Sequence, residues 1–210
     1  MSKNILIVVS NPAVSTTLGW PVGFWASELV HPYDAFKKAG CDVTISSPDG
    51  GEVKVDAFSD PDDASGYSKD DELSRKYLHD DDFQKLLTDT PALSSVDLSA
   101  YDAIVIAGGQ GPMFTFRNNE GLQRSFLAFD APNKVAAALC HGTCLLLDLK
   151  KDDGTPWIAG RKMTGFTNEE EDYGDKAVGQ TMMPFRIEDE ARALGANFVK
   201  ADPFAAFAVQ

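Results

Sequence analysis

The chain has 210 residues, of which 43% are hydrophobic and 24% charged. At roughly 150 residues per domain this is one domain's length, and the composition excludes collagen-like and globally disordered classes. The 19 basic and 32 acidic residues leave a net charge of −13, a surface that repels phosphate backbones and anionic lipid and so argues against nucleic-acid and membrane partners.

Residues 3–10 read as a first strand buried on both faces, because Ile5-Leu6-Ile7-Val8-Val9 is a continuous apolar run closed by polar turn formers. The run is too short for a signal-peptide core, and no stretch approaches the ~20 residues of a membrane span. Residues 26–39 predict a helix with Leu29, Val30, Tyr33 and Phe36 on its apolar side, a kink or early turn at Pro32, and Gly40 as its stop. Cys41–Ser46 predicts a second strand. Residues 59–82 hold nine acids against three bases, which predicts a solvated loop. Asp80, Asp81 and Asp82 then open a helix over 82–89, where their charge suits the N-terminal end of the helix dipole.

Tyr101–Ala107 is the clearest later strand, followed by Gly108-Gly109-Gln110-Gly111-Pro112 and a helix over 118–129. Asn133–Leu139 predicts a further buried strand that turns at Cys140-His141-Gly142 into a helix carrying Leu145, Leu146, Leu147 and Leu149. A short strand at 161–164, a helix over 187–195 and a last strand at 196–199 complete the pattern. Alternating strands and helices predict an α/β sandwich with a mainly parallel central sheet flanked by helices. A single domain over 1–210 is expected, with an acidic insertion or cap near 55–95. Ligands of such sheets sit beyond the carboxyl ends of the strands, which singles out the turns after residues 107 and 139.

Three cysteines, Cys41, Cys140 and Cys144, are too few for a disulfide framework and fit a reducing cytoplasm. Cys140 stands at a strand-to-helix junction, where a sharp turn lifts a side chain over the sheet edge, as in the nucleophile elbow of serine hydrolases. A helix N-terminus there would favour the thiolate. Cys41 and Cys144 read as core cysteines, although helical spacing would put Cys144 on the face of Cys140. No metal site is expected. The histidines are His31, His79 and His141, and His141 adjoins Cys140. The glycines at 108–111 are either a plain turn or a set of amides able to approach a reacting carbonyl. Glu28, in a mostly apolar stretch, is either a water-facing helix-start charge or a partly buried acid with a raised pKa.

These pieces together resemble the DJ-1/ThiJ/PfpI superfamily, of flavodoxin-like, class I glutamine amidotransferase-like fold. The resemblance rests on Glu28 in GFWASELVHP, on AGGQGP at 107–112, on ALCHGT at 138–143 and on MTGFTNEEE at 163–171. The last segment points to the branch of Hsp31-like proteins and glutathione-independent glyoxalases. The resemblance implies Cys140 as nucleophile, Glu28 as a protonated acid hydrogen-bonded to its sulfur, and His141 as the triad histidine. It places the triad acid in the run Glu169-Glu170-Glu171, with Glu171 favoured by position. It implies an oxyanion hole from the amides of Gly109 and His141, and substrate contacts from Gly111, Phe24 and Trp25. Thr143 stands where the family often has proline, and relatives usually continue past the position of Gln210; both departures bear on substrate specificity.

The implied activity is cofactor-free conversion of a 2-oxoaldehyde such as methylglyoxal to a 2-hydroxy acid such as D-lactate, by a cytoplasmic homodimer. The alternatives are a stress-responsive holdase or a redox sensor with Cys140 as the oxidisable thiol. An amidase or glutamine amidotransferase is disfavoured, because those enzymes use a histidine well downstream of the cysteine and none follows His141.

Overall fold

The structure, a computed structural model, describes residues 2–210. The first apolar run forms β1 (Asn4–Val8). After the short antiparallel pair β2 (Ala13–Val14) and β3 (Pro21–Val22), the chain enters α1 (Ala26–Lys38) and returns as β4 (Asp42–Ser46). Two helices follow, α2 (Glu72–Leu78) and α3 (Asp81–Thr88). Next come β5 (Ala103–Ile106), the single turn α4 (Pro112–Thr115), α5 (Glu120–Leu127) and β6 (Val135–Ala138). A 3-10 helix over Cys140–Asp148 leads to β7 (Lys162–Met163), α6 (Asn168–Val178), α7 (Ile187–Ala193) and β8 (Asn197–Phe198).

The central sheet has the order β4-β1-β5-β6, with every pair parallel. Because side chains alternate along a strand, β1 feeds both faces. Leu6 and Val8 join Ile104 and Ile106 in one core with Leu122, Phe126 and Leu145. Ile5 and Ile7 join Val105, Leu29 and Val30 in the other. Burying side chains of this size contributes about 1.5–3 kcal/mol each, so β1 and β5 anchor both layers. The chain leaves β1 towards β4 and later returns to β5 on the opposite side. This reversal opens a crevice beyond the carboxyl ends of β1 and β5.

Several expectations are corrected. α1 continues through Pro32, which stands in the helix interior rather than in its first turn. Proline removes one helical hydrogen bond, but Leu29 and Val30 beside it are fully buried and hold the helix on the sheet. The acidic stretch before residue 80 is not all loop: Asp71 accepts from the Ser74 amide and caps α2, and its carboxylate also meets His31 Nε2 at 2.9 Å. Asp80 caps α3 by accepting from the Phe83 amide, as its position before the helix suggests. The segment after Cys140 winds as a 3-10 helix rather than an α-helix. At three residues per turn, Thr143 lies above Cys140 and donates to its carbonyl at 2.6 Å. Cys144 turns away into the core, where its sulfur contacts the Pro112 carbonyl. It does not share the face of Cys140.

Candidate active site

β6 ends at Ala138, and Leu139 is still extended, bonded to the Ile106 carbonyl at 2.9 Å. The next residue, Cys140, has φ of +48°. A left-handed non-glycine residue costs about 1–2 kcal/mol, and the surroundings enforce it. At Gly142 a Cβ would stand 2.6 Å from the Ala107 carbonyl, so the chain can turn this tightly only with glycine there. The turn places Cys140 on the wall of a cavity of about 290 Å³ above the sheet edge.

The Cys140 sulfur lies 3.5 Å from His141 Nδ1, and His141 Nε2 lies 3.1 Å from Glu171 Oε1. Both partners are buried, His141 at 5% and Glu171 at 3% exposure. Phe166 stacks on the imidazole, with centroids 4.1 Å apart. Glu171 comes from the first turn of α6, which Thr167 and Glu170 open as a reciprocal capping box. That box separates the three glutamates. Glu170 accepts from the amides of Thr167 and Phe204, Glu169 pairs with Lys200 near the surface, and Glu171 alone of the three bonds to His141. The pattern Thr167-Asn168-Glu169-Glu170 carries the signal for this helix, for which no element was expected between the strand at 161–164 and the helix at 187–195.

Glu28 reaches the same point from α1. Its Oε2 accepts the Gly108 amide at 2.7 Å, and its carboxyl stands beside the Cys140 side chain. A Cβ at Gly108 would stand 2.7 Å from Glu28 Oε2, 2.9 Å from Cys140 Cβ and 3.0 Å from the His141 nitrogen. Only glycine lets acid, thiol and elbow converge. Gly109 has φ of +100° and no room for a side chain against the Trp25 nitrogen. The backbone amides of Gly109 and His141 act on the Cys140 thiol to lower its pKa.

Burial raises the Glu28 carboxyl above the usual carboxylate range, against the Gly108 amide that lowers it. Burial likewise pushes the Cys140 thiol up, and a charged Glu28 raises it further, while the two amides pull it down. Two adjacent negative charges are disfavoured in this site. A charged Glu28 therefore opposes ionisation of the sulfur, and a protonated Glu28 does not.

Other candidates separate cleanly. Trp25 lines the cavity, whereas Phe24 and Gly111 do not. Phe24 is fully buried in the sheet core, and alternation along an extended segment sends it opposite to Trp25. Gly111 packs where a Cβ would meet Ser10 Oγ at 2.3 Å and donates to the Gly23 carbonyl, a backbone joint rather than a ligand contact. His79 is exposed and bonds Asp62. Among the described residues no group of three or more His, Cys, Asp or Glu side chains is arranged to hold a metal ion.

Sequence reasoning missed Asp56. This buried carboxylate accepts the Gln110 amide at 3.1 Å and Gln110 Nε2 at 2.9 Å, while Gln110 Oε1 accepts from Trp20 Nε1. It therefore fixes the loop that carries Gly109. Burial raises its pKa from 3.8 to about 6. The folded chain thus holds an extra proton between those values, and the stability this contributes is full at low pH and is lost as pH rises through about 6. A shift of this size corresponds to about 3 kcal/mol. Asp56→Asn is expected to remove this component from the pH dependence, read as urea-unfolding free energies between pH 4 and 7; an unchanged slope would contradict it.

Residues 20–194 match the DJ-1/PfpI family. The chain is 28% identical over 199 residues to "Glutathione-independent glyoxalase HSP31" of Saccharomyces cerevisiae, covering 94% of this chain and 82% of that one. It is 28% identical to "Glyoxalase 3" of Candida albicans, covering 86% and 74%. Among solved structures, the Francisella tularensis Rapid Encystment Protein 24 KDa superposes with a TM-score of 0.84 at 32% identity, covering 98% and 87%. Glyoxalase III of Candida albicans superposes with a TM-score of 0.78 at 25% identity, covering 99% and 87%. With the family match spanning most of its length, the chain belongs to the DJ-1/PfpI family.

Proposed function

We propose that this protein converts 2-oxoaldehydes such as methylglyoxal to 2-hydroxy acids such as D-lactate without glutathione, with Cys140 as nucleophile. The observation that carries this reading is the position of the sulfur between two proton carriers, His141 Nδ1 at 3.5 Å and the raised-pKa carboxyl of Glu28. Similarity to proteins named as glutathione-independent glyoxalases supports the same reaction.

The sulfur anion, formed with the proton on Glu28, attacks the aldehyde carbon and gives a hemithioacetal. Its oxygen falls to the amides of Gly109 and His141. One of the two proton carriers then removes hydrogen from the former aldehyde carbon as the other protonates the ketone oxygen, giving an enediol. Reprotonation at the former ketone carbon yields a thioester. Water, deprotonated by His141 that Glu171 orients, releases the acid and restores the thiol. The aldehyde carbon is oxidised and the ketone carbon reduced, so no external redox partner is required.

Phe58 and Tyr67 reach the cavity from the 55–95 segment, which supports its role as a cap within one domain spanning the chain. The family resemblance also supports a cytoplasmic homodimer, which light scattering on the purified protein tests. The decisive assay is incubation with methylglyoxal in the absence of glutathione. Lactate is the expected product, and its absence at stoichiometric enzyme would end the proposal.

A further inference from the structure

The cavity is far larger than methylglyoxal requires. An apolar cavity of about 150 Å³ already admits benzene, and this one measures about 290 Å³. Its polar groups gather at the catalytic end, with Glu28, Cys140, His141 and Glu171 close together. Apart from Gln110 and Glu170 the rest of the wall is mainly apolar, and it holds two aromatic clusters. On one side Tyr67 packs edge-on against Trp25, with centroids 5.9 Å apart, and against Phe58 at 6.3 Å. On the other Phe204 packs edge-on against Tyr173 at 5.3 Å and against Phe166 at 6.4 Å. Val178, Met182 and Met183 line the space as well, and methionine adapts readily to varied apolar shapes.

Charge narrows the choice further. The cavity is lined by the acids Glu28, Glu170 and Glu171 and by no lysine or arginine, so a phosphate or carboxylate on the substrate would find no partner. Phe204 is held over the cavity by its amide, which donates to Glu170 Oε1 at 2.7 Å. We infer that the substrate class of this site is the neutral 2-oxoaldehydes bearing an aromatic or extended alkyl substituent, with the dicarbonyl at Cys140 and the substituent between the two aromatic clusters. This inference rests on the proposed glyoxalase reaction and adds the specificity to it. The chemistry is unchanged by the substituent, whose binding acts on ground state and transition state alike and so lowers KM more than it raises kcat.

The test compares methylglyoxal, 2-oxohexanal and phenylglyoxal without glutathione, measuring the corresponding 2-hydroxy acids by chromatography. The alkyl pair keeps intrinsic aldehyde reactivity nearly constant. The expected result is a kcat/KM at least about ten-fold higher for 2-oxohexanal than for methylglyoxal, carried by KM, from the added methylenes buried on the apolar wall. Phenylglyoxal is expected to follow 2-oxohexanal. Ala177→Trp, at the cavity rim on α6, should lower the 2-oxohexanal-to-methylglyoxal ratio about ten-fold, and Phe204→Ala should lower it several-fold. Turnover of methylglyoxal with a flat or falling series, or ratios unmoved by both substitutions, would overturn the inference while leaving the glyoxalase reading intact. Turnover of none of the three aldehydes would remove both.

Discussion

Cys140→Ala is expected to lower kcat for lactate formation from methylglyoxal by at least about three orders of magnitude, because no other group can form the covalent intermediate. The buried Cys144 cannot substitute: its thiol is pushed up strongly by burial and its sulfur faces the Pro112 carbonyl. The loss is functional rather than structural. The fold holds Cys140 at positive φ with its sulfur beside a buried carboxyl, an arrangement that costs stability. Alanine removes the conflict with Glu28 and leaves the elbow in place, so the variant should unfold at the same temperature as wild type or above it. Thermal unfolding followed by circular dichroism, run beside the lactate assay, separates the two effects. A variant retaining more than a tenth of wild-type kcat would remove Cys140 from the mechanism.

The second large effect is expected at Glu28. Glu28→Gln keeps the shape and can still accept the Gly108 amide, but it can neither give nor take a proton. General acid–base catalysis contributes typically 10²–10⁴-fold, and a loss of about that size in kcat is expected. The sulfur should behave in the opposite sense. A charged Glu28 raises the thiol, and glutamine carries no charge, so alkylation of Cys140 by iodoacetamide at neutral pH should be at least as fast as in wild type. The wild-type pH profile has a matching sign. Activity rises as the pair surrenders its first proton and falls as it surrenders its second, since the acid then lacks the proton it must donate and its charge opposes that on the sulfur. If alkylation and kcat fell together in Glu28→Gln, Glu28 would serve to ionise the sulfur and not to carry the substrate proton.

The central strands were legible because a run such as Ile5–Val9 can be satisfied only by burial on both faces, and Ala103–Ile106 behaves alike. Cys140-His141-Gly142 was legible as an elbow because a small residue must follow so tight a turn. Asp80 was legible as a cap because the required bond is local. Elements set by long-range contacts were not. The winding after Cys140 depends on packing against α4 and α7, and apolar residues on all sides give it no periodicity to read. α2 and α6 lie in acidic stretches whose composition reads as loop, although Asp71 and the Thr167–Glu170 box begin each one.

What the sequence determined by itself was therefore the local chemistry: the sheet-forming runs, the cysteine on its turn, and the absence of any histidine beyond His141. The tertiary structure decided which distant groups meet that cysteine. Choosing Glu171 among three adjacent glutamates, bringing Glu28 across Gly108, seating Asp56 beneath the Gly109 loop and turning Phe24 away from the cavity are all matters of side-chain direction. Direction depends on how helices and loops dock onto the sheet. That docking is fixed by burial and steric exclusion between segments up to a hundred residues or so apart, which no local pattern records.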